Sequence, residues 1–327
     1  MGEDPTRVAI ACQGGGSHTA FTAGMLRGLL RDWPEEHELV GLSGTSGGAF
    51  TALTAWYGMR RQDPQRAIEL LESVWLDLAA TGWGDRLAND GLVLLTRLES
   101  MGVPFPQVSP YQNPTSHLGG ERIERVLTDH IDFEAIPGLC GKSAPELVVG
   151  TVDIEDGAFH AFVNEEVTPE AIRASAAVPT LFRAVEVEGH HHWDGLFSQN
   201  PPVDDLLTID AERKPDELWV VQINPQGRDG VPQTMDEITD RRNELAGNLS
   251  LNQELRFVER VNEWIDEGYL PREDFARATV RRISMGRALN AATKVDRRPA
   301  FIRELLSLGE RQAERFLDGY EPVSPGS

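Results

Sequence analysis

Lysine is nearly absent from this sequence, and the balance of charge is strongly acidic. Only Lys142, Lys214 and Lys294 occur, so arginine carries almost all of the positive charge, and the net charge is −21. Such a chain is repelled by nucleic acid and by anionic membrane surfaces, and we expect no nucleic-acid partner and no unaided binding to such membranes. Two interpretations of the composition stay open: a cytoplasm of high salt, where ions screen the repulsion, or a moderately acidic protein from a GC-rich genome.

Cysteine and long apolar runs are scarce as well. The two cysteines, Cys12 and Cys140, lie far apart in sequence and form neither a disulfide framework nor a metal-ligand spacing. We interpret them as free thiols in a reducing compartment. No run of about eighteen apolar residues predicts a transmembrane helix, and no basic region followed by an apolar stretch predicts a signal peptide. We therefore expect a cytoplasmic protein.

The length and composition are those of a globular protein with a sizeable core. The chain has 327 residues, of which 40% are hydrophobic and 25% charged, which suits one large α/β domain or two small ones. We predict a single domain over residues 1–327, with an apolar, proline-broken insertion at about 81–117 and a helical part from about 234. The insertion is open to two interpretations, a lid or wall of a substrate pocket and a packed excursion with no role in binding.

The first sixty residues alternate between strands and helices. A predicted strand at 7–12 ends in a glycine turn, a helix runs to about residue 31, and a second strand ends in a serine turn before a buried helix at 49–60. This alternation is typical of an α/β fold with a parallel sheet. Further helices are predicted at 64–78, 120–130, 168–177, 235–267 and 299–317, and further strands at 146–153, 158–164, 183–188, 190–193, 218–223 and 279–284.

The serine turn contains a Gly-x-Ser-x-Gly pentad, Gly44-Thr45-Ser46-Gly47-Gly48. A serine on a sharp strand-to-helix turn has a strained backbone and an exposed hydroxyl group. Glycines two residues before and after it, at Gly44 and Gly48, let neighbouring backbone pass close by. The pentad thus predicts a nucleophile elbow with Ser46 as the nucleophile.

The glycine turn, Gly14-Gly15-Gly16, is a candidate oxyanion hole. Its backbone N–H groups lie at the start of a predicted helix, where the helix dipole also favours an anion. A nucleotide-binding loop is the rival interpretation. It is disfavoured because Thr19 occupies the third glycine position of a dinucleotide fingerprint and no Gly-Lys-Ser/Thr follows.

The general base is open to two interpretations on the residues alone. Asp194 follows a predicted strand and precedes Gly195, so a Ser46–Asp194 dyad is one solution. A triad of Ser46, Asp153 and either His190 or His192 is the other, and it would place the base on a strand of a polar hairpin. Adjacent histidines on a strand point to opposite faces, so we predict no metal site there.

Taken together, these three features resemble the patatin-like phospholipase family. The similarity extends to Ala20-Phe21-Thr22-Ala23-Gly24, Ala174-Ser175-Ala176-Ala177-Val178-Pro179, Trp193-Asp194-Gly195, Asn200-Pro201-Pro202 and the strand ending in Asn224-Pro225. It covers roughly residues 8–226 well and the remainder loosely.

The resemblance implies a three-layer α/β/α sandwich with a mainly parallel central sheet and a Ser46–Asp194 dyad. It also implies an oxyanion hole at Gly14, Gly15 and Gly16, and hydrolysis of lipid-like acyl esters with no cofactor and no metal. Some patatin-like proteins of this branch are intracellular polyhydroxyalkanoate depolymerases, so a polyester is a second substrate class. Peripheral contact with a membrane or granule surface fits either substrate, and the oligomeric state stays open.

The sequence departs from the family pattern at two places. Family members often carry Arg or Lys shortly after the glycines, where this chain has Ser17-His18, which puts recognition of an anionic head group in doubt. The aspartate motif is often Asp-Gly-Gly, and Leu196 replaces its last glycine here. A non-catalytic lipid- or granule-associating protein on the same fold is the alternative from another class, and the intact Ser46 and Asp194 argue against it.

Overall fold

The protein folds around one mixed β-sheet with helices on both of its faces. The computed structural model describes residues 4–61, 64–103, 108–113, 116–208, 213–272 and 275–320. Within these ranges the strands are β1 (Thr6–Cys12), β2 (His37–Thr45), β3 (Glu146–Asp153), β4 (Ala158–Val163), β5 (Val185–Val187), β6 (His190–Asp194), β7 (Glu217–Gln222) and β8 (Thr279–Ser284). The α-helices are α1 (Ala20–Arg31), α2 (Gly47–Arg61), α3 (Pro64–Leu78), α4 (Trp83–Ser100), α5 (His117–His130), α6 (Ile136–Leu139), α7 (Pro169–Ser175), α8 (Asp204–Leu207), α9 (Met235–Asp266) and α10 (Pro299–Asp318).

The sheet is parallel at its centre and antiparallel at one side. Its strand order is β5-β6-β3-β2-β1-β7-β8, and β4 pairs with β3. Strands β3, β2, β1, β7 and β8 run parallel to one another, whereas β4 and β6 run antiparallel to β3. Strands β1 and β7 are paired at the centre of the sheet. Every residue of β7 is buried. A continuously apolar run is what a strand covered on both faces requires.

Two hydrophobic cores lie on opposite faces of the sheet. Successive residues of a strand point to opposite faces. Accordingly, Ile10 of β1 belongs to the core formed with α1, α2, α3 and α10, and Ala9 and Ala11 belong to the core formed with α8 and α9. The layers are therefore helix, sheet and helix, and the expected three-layer α/β/α sandwich with a mainly parallel sheet is confirmed.

Helices α1 and α10 pack with their backbones in close contact. A Cβ atom at Gly24 would lie 1.9 Å from the carbonyl oxygen of Leu306, and one at Gly309 would lie 2.1 Å from that of Phe21. Only glycine fits at such a crossing. The last helix of the described chain is thus fitted to the first.

The segment predicted as an irregular insertion contains a long helix. Helix α4 spans 18 residues, and among its side chains only Asn89 and Ser100 are buried. Trp83 is 83% exposed, and Leu87, Leu94 and Leu95 are exposed as well. Residues 104–107 and 114–115, which include Phe105 of the predicted insertion, lie outside the described residues. The role of 81–117 as a lid stays a prediction, and so do the single domain over 1–327 and the cytoplasmic location.

Among the described residues, no helix is both long enough and apolar enough to cross a membrane.

The acidic composition leads to a prediction about salt. With a net charge of −21, repulsion among carboxylates opposes the compact state, and molar KCl screens it over about 3 Å. We expect the melting temperature to be higher in molar KCl than in dilute buffer at the same pH, measured by calorimetry. The same calorimetric scan in an uncharged osmolyte is the control, because an osmolyte is excluded from the protein surface but does not screen charge. An unchanged or lower melting temperature in KCl would contradict the prediction.

Candidate active site

Ser46 lies in the sharp turn between β2 and α2. Its φ angle is +57°, in the left-handed region that side chains other than glycine seldom adopt. The Ser46 N–H donates to Ser175 Oγ at 2.9 Å, and that hydroxyl group donates in turn to the Gly150 carbonyl at 2.7 Å. These two hydrogen bonds tie the strained turn to α7 and to β3.

Strands β2 and β6 meet end to end on one edge of β3, which brings Ser46 and Asp194 together. Thr45, the last residue of β2, lies opposite Gly150, and Asp194, the last residue of β6, lies opposite the next residue, Thr151. Because β4 occupies the other edge of β3 over this stretch, β2 and β6 share the same edge. The two strands run in opposite directions, so their carboxyl ends converge.

Asp194 is a buried carboxyl group with one oxygen atom left open. Its Oδ1 accepts from the Leu196 N–H at 2.9 Å, and its Oδ2 has no hydrogen-bond partner among the described residues. Burial raises the pKa of Asp194 to about 7, while interaction with the Ser46 hydroxyl, the Leu196 N–H and the charge of Lys294 act in the opposite direction. A carboxyl group with such a pKa exchanges a proton readily near neutral pH.

The two elbow glycines lie where backbone segments cross. A Cβ at Gly44 would lie 2.3 Å from the backbone of Gly48, and a Cβ at Gly48 would lie 2.1 Å from the carbonyl oxygen of Cys12. Neither position has room for a side chain. This close packing lets α2 begin directly at the end of β2.

The glycine turn after β1 lies against the serine turn. A Cβ at Gly14 would lie 3.0 Å from Ser46 Cβ. The Gly14 N–H donates to Asn200 Oδ1 at 2.6 Å, whereas no described residue accepts from the N–H groups of Gly15 and Gly16. The open donors of the turn are therefore those of Gly15 and Gly16, and Gly14 is held by Asn200.

In the alternative triad, the contact between the acid Asp153 and His190 is formed, but no contact of these histidines with Ser46 is described. His190 Nδ1 lies 2.7 Å from Asp153 Oδ2, and His192 Nδ1 lies 3.1 Å from Thr151 Oγ1. His192 is buried against the rings of His160 and Phe162. None of the hydrogen bonds described for these rings reaches Ser46, so the geometry favours the dyad over the triad.

One group of side chains near this hairpin has the composition of a metal site. Ligand atoms of Asp153, Asp156 and His190 lie within 4.8 Å of one another, and of the three only Asp153 is buried. No local pattern predicts this group, because Asp153 ends β3, Asp156 lies in the turn after it and His190 begins β6. The expectation of no metal stays a prediction.

Sequence reasoning also missed the residues that support the site. Ser175 and Asn200 appeared only within family-like motifs, and Lys294 in no motif at all, yet they contact the serine and glycine turns. An open groove of about 820 Å³ between α8 and α9 was not predicted either. Gln199 lies at this groove, and its carbonyl oxygen accepts from Thr45 Oγ1 at 2.8 Å.

The family model of the patatin-like phospholipases matches residues 10–207, more than half of the chain. The chain belongs to this family. The matched region of this patatin-like protein contains the glycine turn, the serine turn and Asp194. Patatin-like phospholipases are lipid acyl hydrolases, and removal of an acyl group cleaves a carboxylic ester, so the assignment supports an ester-hydrolysing enzyme.

Comparison with individual proteins adds little to this assignment. The crystal structure of the type III effector protein ExoU shares 13% identity with this patatin-like protein and has a TM-score of 0.34. The match covers 96% of this chain and 53% of ExoU, so the chain spans about half of the length of that protein. A likeness this distant says nothing about the activity of the present chain. No curated protein matches the sequence.

Proposed function

We propose that the protein is a serine esterase that hydrolyses carboxylic esters of lipid-like substrates, with Ser46 as nucleophile and Asp194 as general base. The observation that carries the proposal is the convergence of β2 and β6, which brings the end of the serine turn to the buried carboxyl group of Asp194, one oxygen of which has no hydrogen-bond partner among the described residues. Membership of the patatin-like phospholipase family supports it independently.

The proposed reaction needs only groups that the chain supplies. As Ser46 Oγ attacks the ester carbonyl carbon, Asp194 Oδ2 takes the hydroxyl proton and the carbonyl oxygen becomes an oxyanion. The N–H groups of Gly15 and Gly16 stabilise that oxyanion. When the carbon–oxygen bond to the alcohol breaks, Asp194 returns the proton to the leaving oxygen. A water molecule, deprotonated by Asp194, then attacks the acyl-enzyme and releases the acid.

The exposed apolar face of α4 indicates whether the substrate is a dissolved ester or part of an apolar surface. Trp83, Leu87, Leu94 and Leu95 are exposed on this helix. An apolar helix face of this kind favours contact with an apolar surface over binding of dissolved esters alone. The net charge of −21 disfavours an anionic membrane, so a neutral lipid assembly or a polyester granule is the favoured surface. This observation keeps polyester depolymerisation as the second candidate function.

The proposed function is tested by labelling and by hydrolysis. We expect a fluorophosphonate probe to label the purified protein at Ser46, identified by peptide mass spectrometry. We also expect hydrolysis of p-nitrophenyl esters over a series of chain lengths, with neutral glyceride, phospholipid and polyhydroxybutyrate granules assayed alongside at low and high salt. The activity should survive EDTA, because the proposed reaction uses no metal ion.

Two outcomes would contradict this prediction. A protein that binds lipid or granules but is neither labelled nor active would be the non-catalytic alternative. Activity lost in EDTA and restored by a divalent cation would instead direct attention to the group formed by Asp153, Asp156 and His190.

A further inference from the structure

The glycine turn is covered by Lys294, a residue beyond the family-matched region. Lys294 lies in the short helical turn Ala291–Val295 that follows β8. A Cβ at Gly16 would lie 2.2 Å from the Lys294 carbonyl oxygen, and a Cβ at Gly15 would lie 3.9 Å from Lys294 Cε. The backbone of Lys294 therefore closes over Gly16, and its aliphatic chain runs past Gly15, the two residues whose N–H groups are open.

The charge of Lys294 is not neutralised by a direct ion pair in the part of the chain that the structure describes. Its Nζ donates to a neutral acceptor, Asn224 Oδ1, at 3.1 Å. Asn224 is buried, and its own N–H donates to Gln13 Oε1 at 2.9 Å. Because Gln13 precedes the glycine turn, the lysine head group is held by the same segment that forms that turn.

The nearest carboxylates of α9 are already engaged by other groups. Glu244 forms hydrogen bonds with Arg228 at 2.6 Å and Arg241 at 3.0 Å, and Asp240 Oδ1 accepts from the Ala291 N–H at 2.8 Å. Arg228 also lies 3.8 Å from Asp240. Two arginines thus balance these two acids, and the positive charge of Lys294 is left to act on the site.

The other titratable groups around Lys294 are few. His18 lies in the turn between the glycines and α1, and burial and the charges of Lys294 and Arg287 hold its pKa well below the usual value, so it is neutral. The pKa of Lys294 itself is lowered by burial, against the charges of Glu244, Asp240 and Asp194. Asp194 is consequently the one carboxyl group among these three that no arginine described here pairs with.

We propose that Lys294 is the positive charge of the active site, stabilising negative charge on Asp194 and on the oxyanion at the Gly15–Gly16 turn. It acts through space and is a positioning residue for charge, not a group that touches the substrate. This inference rests on the proposed function. It places part of the catalytic electrostatics in the C-terminal part of the chain, outside residues 10–207.

The test compares Lys294→Met, which keeps the length of the side chain and removes its charge, with Lys294→Arg, which keeps the charge. Because Asp194 must be ionised to act as base, kcat/KM of the wild type should rise with pH through about 7. In Lys294→Met we expect this rise to move upward by about one pH unit, with a further loss of about tenfold at high pH from the oxyanion. Lys294→Arg should keep the wild-type profile.

The matched control is Lys142→Met, which makes the same change in net charge at an exposed position before β3. It should leave kcat/KM and its pH profile unchanged. A second readout does not depend on activity: the titration of the Asp194 carboxyl carbon, followed by NMR with labelled aspartate and assigned through Asp194→Asn. Lys294→Met should raise the pKa of this carboxyl group, and Lys142→Met should not.

The outcomes separate this inference from the proposed function. A wild type that hydrolyses none of the esters would refute the proposed function, and the titration of Asp194 would still decide the role of Lys294. The inference is wrong if Asp194 titrates alike in wild type and Lys294→Met. It is also wrong if Lys294→Met and Lys294→Arg lose activity equally at every pH together with a lower melting temperature, which would show a packing role.

Discussion

Replacing Ser46 by alanine is expected to abolish ester hydrolysis and leave the fold intact. Alanine is smaller than serine, and the Ser46 N–H that donates to Ser175 Oγ belongs to the backbone and is retained. Removal of a serine nucleophile in a comparable enzyme costs about 10⁶-fold in kcat, so a fall of at least about 10⁴-fold is a safe expectation. The measurement is kcat/KM on the best p-nitrophenyl ester, with circular dichroism and the melting temperature as checks on folding.

The matched control for this prediction is Ser43→Ala on the same strand. The Ser43 hydroxyl is buried and donates to the Pro202 carbonyl oxygen, so its loss should cost about 1 kcal/mol of stability and leave most of the activity. If Ser46→Ala retains more than a few per cent of the rate in a clean preparation, Ser46 is not the nucleophile.

Replacing Asp194 by asparagine is expected to remove activity nearly as completely as Ser46→Ala. The amide fits the same space and its oxygen can still accept from the Leu196 N–H, but it cannot take the hydroxyl proton. Since the two residues act as a unit in the proposed reaction, the Ser46→Ala, Asp194→Asn double variant should be no slower than either single variant. Single replacements of His160, His190, His191 and His192 by glutamine should keep the greater part of the rate.

The same substitution should stabilise the protein at alkaline pH. The pKa of Asp194 is raised from 3.8 to about 7 by burial, so the folded state binds this proton more tightly than the unfolded state does. The contribution of this proton to the free energy of unfolding is complete below pH 3.8 and is lost as the pH rises through about 7. Asp194→Asn lacks the buried charge, and its free energy of unfolding at pH 8 should exceed that of the wild type by up to about 4 kcal/mol, with no such gain at pH 4.

The opposite result for the histidine variants and Asp194→Asn would favour the triad over the dyad. If one histidine variant loses a factor of about 10² to 10⁴, the worth of a general base, while Asp194→Asn stays active, histidine is the base. The variant of His192 needs a folding control in particular, because this ring is buried against His160 and Phe162.

Local patterns in the sequence predicted the elements well where burial is regular. Helix α3 spans Pro64–Leu78 as predicted, and β3 and β4 pair as an antiparallel hairpin. Helix α4 was missed because Gly84 and Gly91 lower its helical propensity and its apolar side chains face outward, which removes the usual stripe toward the core.

The arrangement of the site depends on more than local pattern. Ser46 and Asp194 could each be selected from a glycine-flanked turn, but the shared edge of β3 that joins them follows from the register of three strands. The contact of Lys294 with Gly15 and Gly16 joins residues nearly 280 positions apart. The residues on either side of Lys294 in the sequence form no recognisable motif. Long-range contacts of this kind are not encoded in periodicity.

The fit between α1 and α10 has a consequence for the order in which the protein matures during synthesis. The side of α1 that packs against α10 stays uncovered on the ribosome until residues 299–318 have left the exit tunnel, since Gly24 and Gly309 meet only then. Lys294 is likewise synthesised about 100 residues after Asp194 and about 250 after Ser46. A nascent chain that has passed residue 200 therefore carries its proposed nucleophile and base but not yet α10 or its proposed site charge, so we expect full ester hydrolysis only after residue 318 has been made. Until that point the uncovered helix is a natural binding site for a chaperone.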